Sequence, residues 1–310
     1  MSRSGGGSRL AAGAALAVAG VAAWGILVER NRFTLREITL PLLPAGSAPL
    51  RVLHLSDLHV TPWQKGKQRW VAELAQLRPD LIINTGDNWG SREALDAVGN
   101  CLDAFAGIPG AFVFGSNDYE GPIIKNPFGY LAGPSRPNAR KPKLDAIALR
   151  SYLVNDLGWA DINNSAASVT VAGRTLEFFG VDDPHHKYDD LDAMVDALSD
   201  VRATSATPAL RIGVAHAPYL RTLNELGRLG ADVLFAGHTH GGQVRIPGYG
   251  ALTTNCDLPT SQASGLSSVN VEGRDIPLHV SAGLGTSIYA PVRFACPPEA
   301  TLMTLVPAKI

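Results

Sequence analysis

The run Ala231-Asp-Val-Leu-Phe-Ala-Gly237-His238-Thr-His240-Gly-Gly-Gln243 holds two imidazoles one residue apart, directly after a short apolar stretch. In extended backbone, alternate side chains point the same way, so His238 and His240 can enter one cleft. Two surface histidines on a turn would look the same, so the pair gains meaning only from its partners. The chain supplies Asp57, His59, Asp87, His216 and either Ser116 or Asn117, each just past an apolar run. Carboxylate, imidazole and amide oxygen without thiolate suit a divalent ion such as Mn, Fe or Zn. The set is large enough for two ions if one carboxylate bridges them. Two ions about 4 Å apart can hold a phosphate, generate hydroxide near neutral pH and neutralise the attacking and leaving oxygens. Phosphate esters are among the slowest bonds to hydrolyse, so this is the stabilisation their cleavage requires.

The elements that position these residues follow a regular order. Val52 to Ser56 is an apolar run ending in Asp57-Leu-His59, and the pattern predicts a helix over Lys67 to Arg78, closed by Pro79. Leu81 to Ile83 ends in Gly86-Asp87-Asn88, a second helix carries Leu95, Val98, Leu102 and Phe105, and Ala111 to Phe114 ends in Gly115-Ser116-Asn117-Asp118. The repeat of about thirty residues is the length of a βαβ unit. Ligands of open α/β sheets sit at the C-terminal ends of strands, where each polar cluster falls. Further on, Val169 to Val171 and Leu176 to Phe179 predict a hairpin around Ala172-Gly173, and Leu191 to Leu198 a helix. Leu210 to Ala215 leads into His216, and a short helix over Leu223 to Leu229 precedes the strand before His238. Leu278 to Ser281 and Leu302 to Val306 supply late strands. Residues 121–149 are rich in Pro and Gly and basic through Lys125, Arg136, Arg140, Lys141 and Lys143. They read as a long loop beside the cleft, one facing a membrane surface, or a solvated insertion.

The 310 residues carry a net charge of −1, which gives no reason to expect nucleic acid as a partner. Cys101, Cys256 and Cys296 are widely spaced, so disulfides are not expected to hold the fold. Residues 1–9 are Gly/Ser-rich with Arg3 and Arg9, and no charged residue occurs from Leu10 to Val28. As a helix that run would cross a hydrocarbon core of about 30 Å. We read residues 10–29 as a single-pass anchor, with Trp24 at an interface, residues 30–49 as a linker with a first strand over Phe33 to Leu40, and residues 50–310 as the catalytic domain. A cleavable signal peptide, releasing a secreted enzyme, is the rival. Arginines on both flanks leave the orientation open.

Asp57-x-His59, Gly86-Asp87, Gly115-x-x-Asp118, His216 and Gly237-His238-x-His240 together resemble the ordered motifs of the calcineurin-like metallophosphoesterases. Gly241-Gly-Gln243, Gly283-Leu-Gly-Thr-Ser287 and Pro297-Pro-Glu299 resemble its YkuE/YaeI-like membrane-associated branch. The resemblance implies an α/β fold, a four-layer αββα sandwich of two mixed sheets, with a dinuclear centre at one edge. It implies that Asp57, His59 and His240 hold one metal, Asp87 bridges, and Asn117, His216 and His238 hold the other. One motif departs. The family has Gly-Asn-His-Asp/Glu where this chain has Gly115-Ser116-Asn117-Asp118. Without a gap, Ser116 takes the ligand's place; chemically Asn117 is the better ligand, and Asp118 then stands where the family has its histidine. Leaving-group protonation must come from Asp118, from water or not at all, which favours good leaving groups.

The expected activity is hydrolysis of a phosphodiester, pyrophosphate or phosphomonoester, soluble or lipid-linked, by attack of metal-bound hydroxide. The altered motif keeps a second reading open: a catalytically weak metal-binding module that docks a partner at the membrane. Arg293 suits a bidentate contact with a substrate phosphate or a structural salt bridge. Asp182-Asp183-Pro-His185-His186 reads as a loop at the cleft rim. His54 and His279, inside apolar runs, read as buried and hydrogen-bonded.

Overall fold

The computed structural model describes residues 13, 16, 18–123, 141–286 and 289–308. In chain order, β1 (Thr34–Leu43), β2 (Leu50–Leu55), β3 (Leu81–Asn84), β4 (Gly110–Phe112) and β5 (Ala160–Asp161) belong to a first sheet. A second sheet is begun by β6 (Ser165–Val171), β7 (Arg174–Val181), β8 (Leu210–Ala215) and β9 (Val233–Ala236). A separate hairpin, β10 (Arg245–Ile246) with β11 (Gly250–Ala251), precedes β12 (Gly265–Val271) and β13 (Arg274–Val280), which complete the second sheet. Finally β14 (Glu299–Pro307) returns to the first sheet between β1 and β2. Both sheets are mixed: β2, β3, β4 and β5 run parallel while β14 opposes β2, and β7, β8, β9 and β13 run parallel while β6 and β12 oppose their neighbours.

Packing follows the side-chain alternation of the strands. Val52, Leu81, Ile83, Ala111 and Val113 of the first sheet meet Phe178, Ile212, Val214, Val233 and Phe235 of the second in one buried layer. The outer face of the first sheet, with Leu53, Leu55, Ile82 and Phe112, is covered by helices α1 (Lys65–Glu73) and α2 (Leu95–Leu102) through Val71, Val98 and Leu102. In chain order α3 (Ser116–Tyr119) and α4 (Ala146–Ser151) follow, and α5 (Leu191–Thr204) and α6 (Leu220–Arg228) cover the outer face of the second sheet. The result is the αββα sandwich. Each fully buried Leu, Val, Ile or Phe adds roughly 1.5–3 kcal/mol, so three continuous apolar layers hold the strand ends rigidly.

Some elements differ from expectation. Strand β1 continues through Pro41 to Leu43, where a linker was expected; it lies at the sheet's edge, where a missing N–H is tolerated. Helix α4 begins at Ala146, inside the expected loop, because Asp145 Oδ1 accepts from Ala148 N at 2.9 Å and caps it. Lys125, Arg136 and Arg140 lie outside the described residues, while Lys141 and Lys143 reach Glu120 at 3.5 and 2.8 Å. Much of the expected anchor, including residues 10–12, also lies outside the described residues, and among the described residues no helix is long and apolar enough to cross a membrane. From Trp24 onward the segment rests on the protein: Gly25 O accepts from Arg293 N at 3.2 Å, and Glu29 Oε1 accepts from Cys296 N at 2.6 Å. Cys101, Cys256 and Cys296 are all free.

Candidate metal centre

The strand ends converge as the sequence order demands. Past β2 come Asp57 and His59, past β3 Asp87, past β8 His216, and past β9 His238 and His240. One ligand atom each from Asp57, His59, Asp87 and His240 lies within 4.8 Å of all the others. Asp87 Oδ2 is 3.4 Å from His59 Nε2 and 3.6 Å from His216 Nε2, so one carboxylate oxygen faces an imidazole from each sheet. His240 Nε2 lies 3.5 Å from Asp57 Oδ1. His238 joins through its backbone N, which donates to Asp57 Oδ2 at 3.0 Å, and its ring centroid is 5.2 Å from that of His216.

The arrangement fits a cation. The buried atoms Asp57 Oδ1, His59 Nε2 and His216 Nε2 have no hydrogen-bond partner. Leaving buried polar atoms unpaired costs about 1–3 kcal/mol each, which ligation would offset. The opposite ring nitrogens are tethered: His216 Nδ1 donates to Thr85 O at 2.6 Å and His240 Nδ1 to Gly285 O at 3.1 Å, which leaves both Nε2 lone pairs facing the centre. Burial drives the pKa values of His59, His238 and His240 down, the direction that favours neutral, ligating imidazole. His216 moves the other way. Burial opposes its charge, but Asp87, Asp183 and Asp57 outweigh burial and hold it up at about 9. Burial likewise pushes Asp87 up, yet His216 and His59 hold its carboxyl well below the usual range. The carboxylates thus surround a spot that calls for positive charge.

The backbone carries a second mark of the site. Asp57, His59, Asp87, His238 and His240 all have positive φ, at 49°, 37°, 56°, 68° and 50°. Such conformations are costly for residues other than glycine and collect at functional sites. Gly237 shows how tightly the loops nest: a Cβ there would sit 1.9 Å from Ser56 Oγ and 2.6 Å from Asp57 Oδ2.

Of the two candidates in the departing motif, Asn117 reaches the centre. Its backbone N donates to Asp87 Oδ1 at 2.8 Å and its Nδ2 to Asp87 Oδ2 at 2.7 Å. Ser116 opens α3 and is buried. Asp118, one of the sources expected for the leaving-group proton, is turned into the surrounding backbone. Its carboxylate is fully buried and accepts from the backbone N of Asp87 (2.7 Å), Asn88 (2.8 Å) and Gly115 (3.0 Å). Burial and then Asp87 push its pKa up to about 7, against those donors. Asp118 holds the Asp87 loop in place. Arg293 is corrected too: it is fully buried rather than open to a substrate, and it makes no salt bridge among the described residues. Its Nη2 donates to the carbonyls of Ala282 (2.7 Å), Gly283 (3.1 Å) and Gly285 (2.8 Å), pinning the loop that tethers His240.

Two features were read in the sequence only in part. His54 and His279 are buried as expected, but they begin a chain of hydrogen bonds that ends on a predicted ligand. Thr85 Oγ1 donates to Ser56 Oγ at 2.6 Å, and Ser56 Oγ donates to Asp57 Oδ2 at 2.5 Å. Thr85 has one hydroxyl proton, so His54 Nε2 donates to it at 3.0 Å, and His54 Nδ1 accepts from His279 Nδ1 at 2.9 Å. Both rings are held neutral, chiefly by burial. The loop after β7 is the other feature. The His185 ring centroid lies 4.5 Å from that of His238, and its Nδ1 is 3.0 Å from Tyr219 Oη. Asp183 is fully buried and acts on the charge of His216. The loop follows the end of a strand beside β8, so the rule that found the other residues reaches it once β7 is extended to Val181.

The sandwich and the strand-end cluster define a metallophosphoesterase. Residues 50–242 match the model of the calcineurin-like phosphoesterases, and the chain belongs to that family. It is a metal-dependent phosphoester hydrolase. It is similar to YpbG of Bacillus subtilis (strain 168), 26% identical over 87% of this chain and 87% of the relative. The metallophosphoesterase YkuE of the same organism is 23% identical over 90% of this chain and 86% of its own length. The phosphodiesterase YaeI of Escherichia coli (strain K12) is 24% identical, with 90% of each chain covered.

Proposed function

We propose that the chain is a dinuclear phosphohydrolase, anchored in a membrane by residues 10–29, that cleaves phosphodiester or pyrophosphate bonds, or monoesters with good leaving groups. The observation that supports two ions most directly is Asp87 Oδ2, 3.4 and 3.6 Å from two otherwise unpartnered Nε2 atoms on opposite sheets. Asp57 Oδ1, His59 and His240 would hold one ion, Asp87 would bridge, and His216, His238 and Asn117 would hold the other. His238 Nε2 is engaged by Asn255, 3.3 Å from its O and 3.2 Å from its Nδ2, so Nδ1 would be the ligating nitrogen. Asn117 would ligate with its amide turned over, exchanging Nδ2 for Oδ1.

Bound divalent ions, Mn, Fe or Zn, supply charge neutralisation at phosphorus and a nucleophile at neutral pH. The protein's own residues do the rest. Asp118 and Lys67, whose Nζ donates to Leu58 O at 2.8 Å, fix the two ligand loops. Arg293 fixes the third. With Asp118 committed to backbone donors, leaving-group protonation falls to water, hence the preference for good leaving groups. The name of YaeI as a phosphodiesterase supports a diester.

Chelator treatment should abolish hydrolysis of a chromogenic diester, and re-addition of Mn, Fe or Zn should restore it. Removal of residues 1–23, which spares Gly25 and Glu29, should lower turnover of vesicle-presented substrate far more than that of the soluble diester. Activity that survives chelation would remove the metal reading, and equal losses on both substrates would remove the membrane reading.

A further inference from the structure

The hairpin β10–β11 leaves the metal centre and returns to it. His240 begins the turn that leads into Arg245, and Asn255, four residues past Ala251, presents its carbonyl 3.3 Å from His238 Nε2. Between them Val244, Ile246, Tyr249 and Leu252 are 37, 48, 76 and 42% exposed. The one charged residue of the hairpin is turned away: Arg245 Nε donates to Gly241 O and its Nη2 to Ser264 Oγ, both at 2.6 Å. The tip Pro247-Gly248-Tyr249 therefore presents apolar surface without a charge. A contiguous exposed apolar patch marks an interaction site, whereas single exposed residues do not.

The occupant is indicated by what lies alongside. Val244 bridges to Phe294, Gln243 Nε2 donates to Ala290 O at 2.8 Å, and the neighbouring Arg293 N donates to Gly25 O. One short segment, residues 290–294, thus joins the hairpin to the end of the uncharged run from Leu10 to Val28. At this junction Trp24 is 42% exposed and carries the Arg32 guanidinium 5.8 Å from its ring centroid, a pair suited to a membrane interface. Leu27 is 67% exposed beside it.

We infer that the 244–252 hairpin dips into the lipid bilayer surface, which seats the rim of the metal centre at the depth of lipid headgroup phosphates. The inference rests on the membrane reading above and adds a second contact to it. Apolar surface of this kind enters the boundary between headgroups and acyl chains to about 5–10 Å. It narrows the substrate class to phosphoesters held at that boundary.

The test uses the full chain with Cys256→Ser, reconstituted in anionic phospholipid vesicles, with a nitroxide on a cysteine placed at Tyr249 or, as a control, at Ile147. Ile147 is 83% exposed on α4 among Lys143, Asp145 and Arg150. The label at 249 should collide with oxygen at least about 3-fold more, relative to a water-soluble nickel chelate, than the label at 147. In parallel, Ile246→Asp with Tyr249→Asp should lower turnover of a vesicle-embedded phosphodiester about 10-fold or more and leave the soluble diester unchanged. If the protein floats with vesicles but both labels see the chelate equally, the hairpin inference is overturned while the anchor stands. If the protein fails to float, the anchor and the hairpin inference fall together. If the label at 249 is shielded equally without lipid, in a self-associated form that Ile246→Asp disperses, a second copy covers the patch and the inference is overturned.

Discussion

Asn117 donates to both oxygens of Asp87, from its backbone N at 2.8 Å and its Nδ2 at 2.7 Å. Among the described residues no other side chain is tied so closely to the proposed bridging carboxylate. It favours Asn117 over Ser116 as the candidate ligand in the departing motif: the ungapped alignment points to Ser116, but it is the Asn117 amide that touches the Asp87 carboxylate. Asn117→Ala should therefore lower metal occupancy and kcat/KM by at least about 10-fold, and Ser116→Ala should stay within about 3-fold of wild type. Metal titration and diester kinetics on the two variants check this; the reverse order would return the ligand to Ser116.

Asp118 tests differently, because its carboxylate is held by backbone donors. Asp118→Asn would set an amide NH2 against backbone donors from Asp87, Asn88 and Gly115. Losing charge-assisted bonds to buried N–H groups should cost about 2–4 kcal/mol of stability. Urea unfolding of the metal-free variant reads this directly. An unchanged midpoint combined with the loss of one limb of the pH–rate profile would restore Asp118 as a proton donor.

The chain from His279 through His54, Thr85 and Ser56 to Asp57 predicts an effect at a distance. Each donor points toward Asp57 Oδ2, which orients Oδ1 to the centre. Thr85→Val breaks the chain in the middle with little change in shape. Metal affinity should fall about 10–100-fold, the usual consequence of losing a partner of a ligand. Isothermal titration with Mn or Zn measures it, and unchanged affinity would show that the chain only fills space.

Lys67 predicts a pH dependence of stability. Burial pushes its ammonium pKa from 10.5 down to about 7. Between those values the unfolded chain holds more protons than the folded one, so stability rises with pH, by up to about 1.4 kcal/mol per unit for one proton. Below about pH 7 both states are protonated and the gain is absent. Unfolding midpoints between pH 7 and pH 9.5 should rise more steeply for wild type than for Lys67→Met; parallel curves would contradict the assignment.

The core and the ligand order were legible because both depend on local pattern. Buried parallel strands read as continuous apolar runs, and polar residues at their ends fall on one edge, so Asp57, Asp87, His216 and His240 could be placed from spacing alone. What escaped depends on contacts between distant segments. Arg293 read as a phosphate contact or a salt-bridge partner because nothing near it in sequence shows that it is buried beneath carbonyls of residues 282–285. The His54–His279 pair joins residues 225 positions apart on different sheets, a relation no local pattern encodes. Strand β12, where Ser267, Ser268 and Asn270 interrupt the apolar residues, is evident only beside β13.

The central claim is that Asp87 bridges two ions. Metal analysis of wild type and Asp87→Asn, each loaded with Mn and desalted, tests it most directly when diester hydrolysis is measured on the same samples. The account predicts about two equivalents per chain in wild type, one or fewer in the variant, and a fall in kcat of about 100-fold or more. A variant that keeps both ions and its activity, or a wild type that retains a single ion at full activity, would contradict it.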